Sequence, residues 1–243
     1  LFAYYRPLPE DKAPRGMVGI PRVLNLYENY PFWFTFFTEL GYSVKLSPRS
    51  SRDGYSKGIE TMPSESVCYP AKIAHGHIQS LLDSGVKFVF YPCLPYERQE
   101  DPNADNHYNC PVVGSYPEVI RQNMRDEFIA KGVTFAAPFL PFNNPDRMAK
   151  RLCEELKGIP SSKIRAAVKK AYAEQEAFCA WSRAEGERIL KLIEEKGGHG
   201  IVLAGRPYHL DPEINHGVPQ MINSYGFAVL TEDSVAHLNP VPR

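Results

Sequence analysis

The chain has 243 residues, with 28 Lys and Arg against 28 Asp and Glu, so its formal charge is zero. That balance argues against a protein that holds nucleic acid or an anionic membrane by bulk attraction. With 43% hydrophobic and 23% charged residues it carries enough apolar material for a core and is not a disordered chain. No apolar run reaches the roughly 18 residues of a spanning helix.

The start, Leu1-Phe2-Ala3-Tyr4-Tyr5-Arg6, lacks an initiator Met and a basic signal region, so the chain reads as a cytoplasmic piece of a longer protein. Proline is abundant, 22 residues, and gathers in short apolar segments such as Phe90-Tyr91-Pro92-Cys93-Leu94-Pro95, where strands must stop in fixed turns. The five cysteines, Cys68, Cys93, Cys110, Cys153 and Cys179, are odd in number and scattered. That pattern suits reduced thiols or metal ligands better than a disulfide framework.

In chain order, residues 16–23 read as a buried first strand. Residues 29–40 read as a helix with Phe32, Phe36, Phe37 and Leu40 on one face and Gly41 as its cap. Residues 42–46 form a second strand. A helix opens at Cys68, has Pro70 in its first turn and Ile73, Ile78, Leu81 and Leu82 on its apolar face, and ends at Gly85. Residues 86–91 are a continuous apolar run of the parallel-sheet kind. The alternation continues through a helix at 116–130, a strand at 133–137 and a helix at 146–156. Residues 161–196 carry the longest helical pattern, with Ser182 and Gly186 as interior weak points. After Gly197-Gly198 a strand begins at Ile201, and another is expected at 227–230.

This alternation predicts an α/β fold with an open, mostly parallel, Rossmann-like sheet. Residues 1–158 are read as an α/β domain and 161–196 as a bridging helix. Residues 199–243 are read as a partial, truncated second α/β unit, since a complete doubly wound domain needs more chain.

The phosphate-cradling loops G-x-x-x-x-G-K-[ST] and G-x-G-x-x-G after a strand are absent, so no ATP site is expected in this piece. G-x-S-x-G, H-E-x-x-H and C-x-x-C are absent too, which removes the commonest hydrolase, zinc-protease and zinc-ribbon readings. Cysteines at the carboxyl edge of the predicted sheet remain, and that edge is where ligands bind in open parallel sheets. Cys93 follows its strand directly, Cys110 lies in the Asn- and Pro-rich loop beyond it, and Cys68 stands where a helix amino end favours a thiolate. The three suit one soft metal centre, or else are small buried hydrophobes. Cys153 and Cys179 fall on helices away from that edge. His75 and His77, two apart on one helix, cannot form an i, i+4 metal pair. His107, His209 and His216 lie in polar loops, and Tyr96-Glu97 and Tyr116-Pro117-Glu118 offer acid/base groups.

Several segments are recognisable. They are Gly19-Ile20-Pro21-Arg22-Val23-Leu24, Tyr27-Glu28-Asn29-Tyr30-Pro31-Phe32-Trp33, Pro63-Ser64-Glu65-Ser66-Val67-Cys68-Tyr69-Pro70-Ala71-Lys72, His75-Gly76-His77, Tyr91-Pro92-Cys93, Asn109-Cys110-Pro111-Val112-Val113 and Ala204-Gly205-Arg206-Pro207-Tyr208-His209. Over nearly the whole chain they resemble the uncharacterised domain found beside CoA-substrate-specific enzyme activases, in proteins of anaerobic metabolism related to the 2-hydroxyacyl-CoA dehydratase system. The resemblance implies an iron–sulfur domain that accepts an electron from an ATP-driven activase module, in the same or another chain, for low-potential reduction or acyl-CoA dehydration. It implies a [4Fe–4S] cluster in the longer protein, with Cys68 and Cys93 as ligands and Cys110 as the weaker third, and a fragment that does not keep the cluster in air. Acyl-CoA is then a partner. The aromatic run 27–37 is read as core or as a subunit interface, which leaves a homodimer open. The alternatives are a docking or regulatory module presenting that aromatic run, and a CoA-thioester binding domain without a cluster.

Overall fold

The computed structural model describes residues 1–101 and 103–238. Four parallel strands, β1 (Met17–Ile20), β2 (Ser43–Leu46), β3 (Phe88–Phe90) and β4 (Thr134–Ala136), form a sheet in the order β2-β1-β3-β4. Two more, β5 (Gly200–Leu203) and β6 (Ala228–Thr231), form a separate parallel pair. The helices in chain order are α1 (Leu26–Glu39), α2 (Arg52–Ser56), α3 (Tyr69–Asp83), α4 (Pro111–Asn123), α5 (Arg125–Lys131), α6 (Pro145–Glu155), α7 (Ser161–Glu195), α8 (Pro212–Asn215), α9 (Val218–Ser224) and α10 (Glu232–Val235). The sheet is thus the open parallel α/β type that the alternation predicts. Among the described residues no helix is long and apolar enough to cross a membrane.

Strand order reverses between β1 and β3, so right-handed crossovers place α1 on one face of the sheet and α3, α4 and α5 on the other. Alternation along β3 serves both faces. Phe88 and Phe90 meet Phe37 of α1, and Trp33 packs 4.8 Å from Phe90, centroid to centroid. Val89 faces the α3 side, where a methyl on Gly19 would press on Val86, Val89 and Leu81. Phe32, Trp33, Phe36 and Phe37 are fully buried. The aromatic run 27–37 is therefore core, which corrects the alternative in which it forms an exposed docking surface: α7 covers the side that a partner would need.

Pro31 lies inside α1, where it lacks the N–H of a helical bond and crowds the carbonyl four residues back. Gln175 of α7 fills the resulting gap. Its Oε1 accepts from the Phe32 N–H at 3.2 Å and its Nε2 donates to the Glu28 carbonyl at 2.9 Å. The first half of α7 is locked to the main sheet in this way, with Ile164, Ala167, Val168, Ala171 and Tyr172 buried. The second half carries the β5–β6 unit. Gly186 is buried there, and a Cβ on it would overlap the Ser234 carbonyl of α10. The interior glycine of the long helix is thus a close-packing point.

The single helix expected at 116–130 is two. Helix α4 begins earlier, at Pro111, and the chain leaves helical geometry at Met124, a buried residue with φ −111° and ψ 19°. The break turns α5 so that Phe128 stacks on Phe135 of β4, 4.6 Å between centroids. Two glycines bring α2 against α3: a methyl on Gly76 would overlap the Gly54 carbonyl, and one on Gly58 the backbone of His75 and Gly76.

Candidate functional site at the carboxyl edge of the sheet

Helices α1, α3 and α4 all start at the carboxyl edge of the sheet, around the β1/β3 switch where ligands bind in this architecture. Cys68 is the residue preceding α3 and Cys110 the one preceding α4, and a proline in the first turn follows each. Both therefore stand at the positive end of a helix dipole, beside backbone N–H groups without helical partners. Cys68 is exposed and Cys110 half-buried. Tyr208, from the turn after β5, lies within electrostatic reach of both. Burial is the main reason that its phenol is raised; Arg206 opposes the rise, and Cys110 and Cys68 add to it.

Cys93 lies on the same side of the sheet but apart from this pair. It continues the β3–β4 pairing, its N–H donating to the Pro138 carbonyl at 2.9 Å. Its thiol is buried against the Glu118 main chain. Eight residues of α4 separate Cys110 from Glu118, about 12 Å along the helix axis. Burial pushes the Cys93 thiol up to about 12, and the Glu118 charge adds to the effect. A protonated thiol sealed in the core is no metal ligand unless its loop opens. Among the described residues no group of three or more His, Cys, Asp or Glu side chains is placed to hold a metal ion. Of the three cysteines, Cys68 and Cys110 stand at helix amino ends, whereas Cys93 is sealed in the core. Cys153 is on α6 and Cys179 on α7; contrary to expectation Cys179 is not remote from this edge, since it lines a cleft with Glu28 and Asn29 of α1 and Glu97 of the loop after β3.

Both histidines of α3 are buried and neutral, pushed down to about 4 mainly by burial. Thr61 donates to the Gly58 carbonyl, so its hydroxyl accepts from His75 Nδ1 at 2.8 Å, and His75 Nε2 accepts from the Tyr116 hydroxyl at 3.0 Å. His77 stands in a longer relay. The Arg22 N–H donates to Ser47 Oγ at 2.8 Å, Ser47 donates to His77 Nδ1 at 2.7 Å, and His77 Nε2 donates to Ser50 Oγ at 2.9 Å. Ser50 and Tyr27 then both donate to the carboxylate of Asp211, which is 1% exposed and also accepts the Glu213 and Ile214 N–H groups as the cap of α8. Every donor in the relay points toward Asp211, so the relay pins the second unit to the first.

Sequence reasoning missed Asp211, Ser47, Ser50 and Tyr208. Asp211-Pro212 carries a helix-cap signature, but its partner Tyr27 is 184 residues away. The Asn25 side-chain amide and the Tyr91 hydroxyl, past the ends of β1 and β3, are buried without a hydrogen-bond partner among the described residues.

Of the acid/base candidates, Tyr116 serves His75, and Glu97 is held by Asn29 and Asn109. Burial raises Glu97 to about 7 against those hydrogen bonds, and raises its neighbour Glu28 well above the carboxylate range. His107 stacks near Tyr108, and His209 and His216 border a cleft after β5.

No curated protein and no solved structure matches the chain significantly. A family model does: it matches residues 17–235, and the chain accordingly belongs to the family described as the CoA enzyme activase uncharacterised domain (DUF2229).

Proposed function

We propose that this chain is an electron-accepting domain of a CoA enzyme activase system, with an iron–sulfur group seated on Cys68 and Cys110. One observation carries the reading: two thiols from separate segments stand at the amino ends of two helices on the carboxyl edge of one sheet. A bound cluster would supply one-electron chemistry at low potential. The chain's own residues do the rest. The helix amino ends offset the negative charge of the thiolates. Tyr208, on the segment that the Asp211 relay fixes, lies within electrostatic reach of both cysteines, and Cys68 stays open to solvent. Cys93 becomes a third ligand only where its loop opens. The ATP-driven activase module is the electron donor in this reading, and an acyl-CoA the substrate of the assembled system.

The test is anaerobic reconstitution with iron and sulfide, followed by iron analysis and visible absorption. Broad absorption that bleaches on reduction, lost in Cys68→Ala and Cys110→Ala and kept in Cys179→Ala, supports the reading. A folded protein that stays colourless and iron-free overturns it and leaves a CoA-thioester binding domain without a cluster.

A further inference from the structure

A second cleft lies outside the cysteine edge, at the carboxyl ends of β5 and β6, and its volume is about 300 Å³. That is the small end of the roughly 300–1,000 Å³ range of ligand clefts, so it suits a nucleoside-sized molecule rather than a whole coenzyme. Its walls are apolar at Leu203, Leu210, Ile214 and Val218. Half of its lining residues are polar, Arg206, Asn215, His216 and Asp233 among them, and the roles of Glu232 and His209 can be read from their partners. Strands β5 and β6 pair in parallel with Leu203 opposite Thr231, so Glu232, the next residue, faces the turn after β5. Glu232 Oε2 accepts from the Gly205 N–H at 3.3 Å, and Oε1 has no partner among the described residues. Gly205 admits no side chain, because a Cβ would overlap the His209 ring. The Arg206 N–H donates to His209 Nδ1 at 3.1 Å. Nδ1 is thereby the acceptor and the proton sits on Nε2, which has no partner among the described residues.

A carboxylate at the end of the second strand of a parallel β-α-β unit, across from a glycine turn after the first, is the arrangement that accepts two vicinal ribose hydroxyls. The Gly205 amide already bonds Glu232, and the glycine loop that cradles a pyrophosphate is absent. The cleft therefore offers a sugar reader with an apolar slot beside it and no phosphate cradle.

We propose that this cleft binds a ribonucleoside, with Glu232 accepting the ribose 2′ and 3′ hydroxyls, the His209 Nε2–H donating to an acceptor on the ligand, and the base lying against Leu203, Leu210 and Ile214. This inference is independent of the cysteine reading, since Glu232 and His209 have no part in that reading.

Titrations of the ¹⁵N-labelled chain with adenosine, guanosine, cytidine and uridine, and with their 2′-deoxy forms, test it by NMR. The expected result is saturable shifts at Gly205 and His209 with at least one ribonucleoside, and about tenfold weaker binding of its 2′-deoxy form. Glu232→Gln keeps an oxygen acceptor for the Gly205 amide and should weaken binding by about the same factor at unchanged Tm. Absence of saturable binding by all four ribonucleosides overturns the proposal. So does equal affinity for ribo- and 2′-deoxyribonucleoside, a comparison on the unaltered chain that stands even where the variant fails to fold.

Discussion

Replacing His77 with Gln should flatten the acid dependence of stability by an amount the structure sets. His77 is 5% exposed and held near 4 in the fold, against 6.5 as an ordinary imidazole. Its folded value is depressed, so the unfolded chain takes up the proton first. The stability that neutral His77 contributes is complete above about pH 6.5 and is lost as pH falls toward 4. Between about pH 7.5 and about pH 4.5 this linkage costs the wild type about 2.5 kcal/mol, at 1.36 kcal/mol per unit. Gln does not titrate, yet it can accept from Ser47 and donate to Ser50. The absolute profile sums groups of both signs: His75, also held near 4, adds to the loss on acidification, whereas Glu97, raised to about 7 from 4.5, favours the fold at low pH and loses that contribution as pH rises through 7. The informative quantity is therefore the difference between wild type and His77→Gln, from urea unfolding followed by circular dichroism at the two pH values. Wild type should lose about 2.5 kcal/mol more than the variant on acidification. Parallel losses would refute the argument, because they would mean that His77 is protonated in the fold or solvated.

Asp211→Ala removes the acceptor of two buried hydroxyls and a helix cap and should cost roughly 3–5 kcal/mol, whereas Tyr27→Phe should cost about 1 kcal/mol; urea midpoints separate the two, and limited proteolysis of the Asp211→Ala protein should begin in the β5–β6 unit. Tyr91→Phe deletes a buried hydroxyl without a partner and should shift stability by no more than about 1 kcal/mol; a larger loss in thermal unfolding would show that the hydroxyl has a role. Gly76→Ala forces α2 away from α3 and should cost about 3 kcal/mol or more, while Gly85→Ala, in open space at φ +82°, strains only its own turn. Protein purified in air should lose iron from exposed Cys68 faster than protein kept anaerobic, measured as iron per chain.

Local patterns fixed the periodic parts of this molecule. The runs at β1, β3 and β4, the cap glycines and the proline after Cys68 each act within a few residues, so the open parallel sheet and the start of α3 could be read directly from them, whereas the start of α4 at Pro111 lay in what the sequence presents as a loop. The aromatic spacing of α1 likewise marked a buried face, but its neighbour did not show: that Gln175 repairs the helix at Pro31 depends on α7 folding back across 143 residues. The same limit applies to the sites. Cys68, Cys93 and Cys110 look equivalent along the chain, and only packing separates an exposed and a half-buried thiol at helix ends from one sealed beneath α4. Asp211 and Glu232 gain their meaning from partners 161 and 27 residues away, Ser50 and Gly205, because hydrogen bonds across the fold are set by where elements dock rather than by which residues adjoin them.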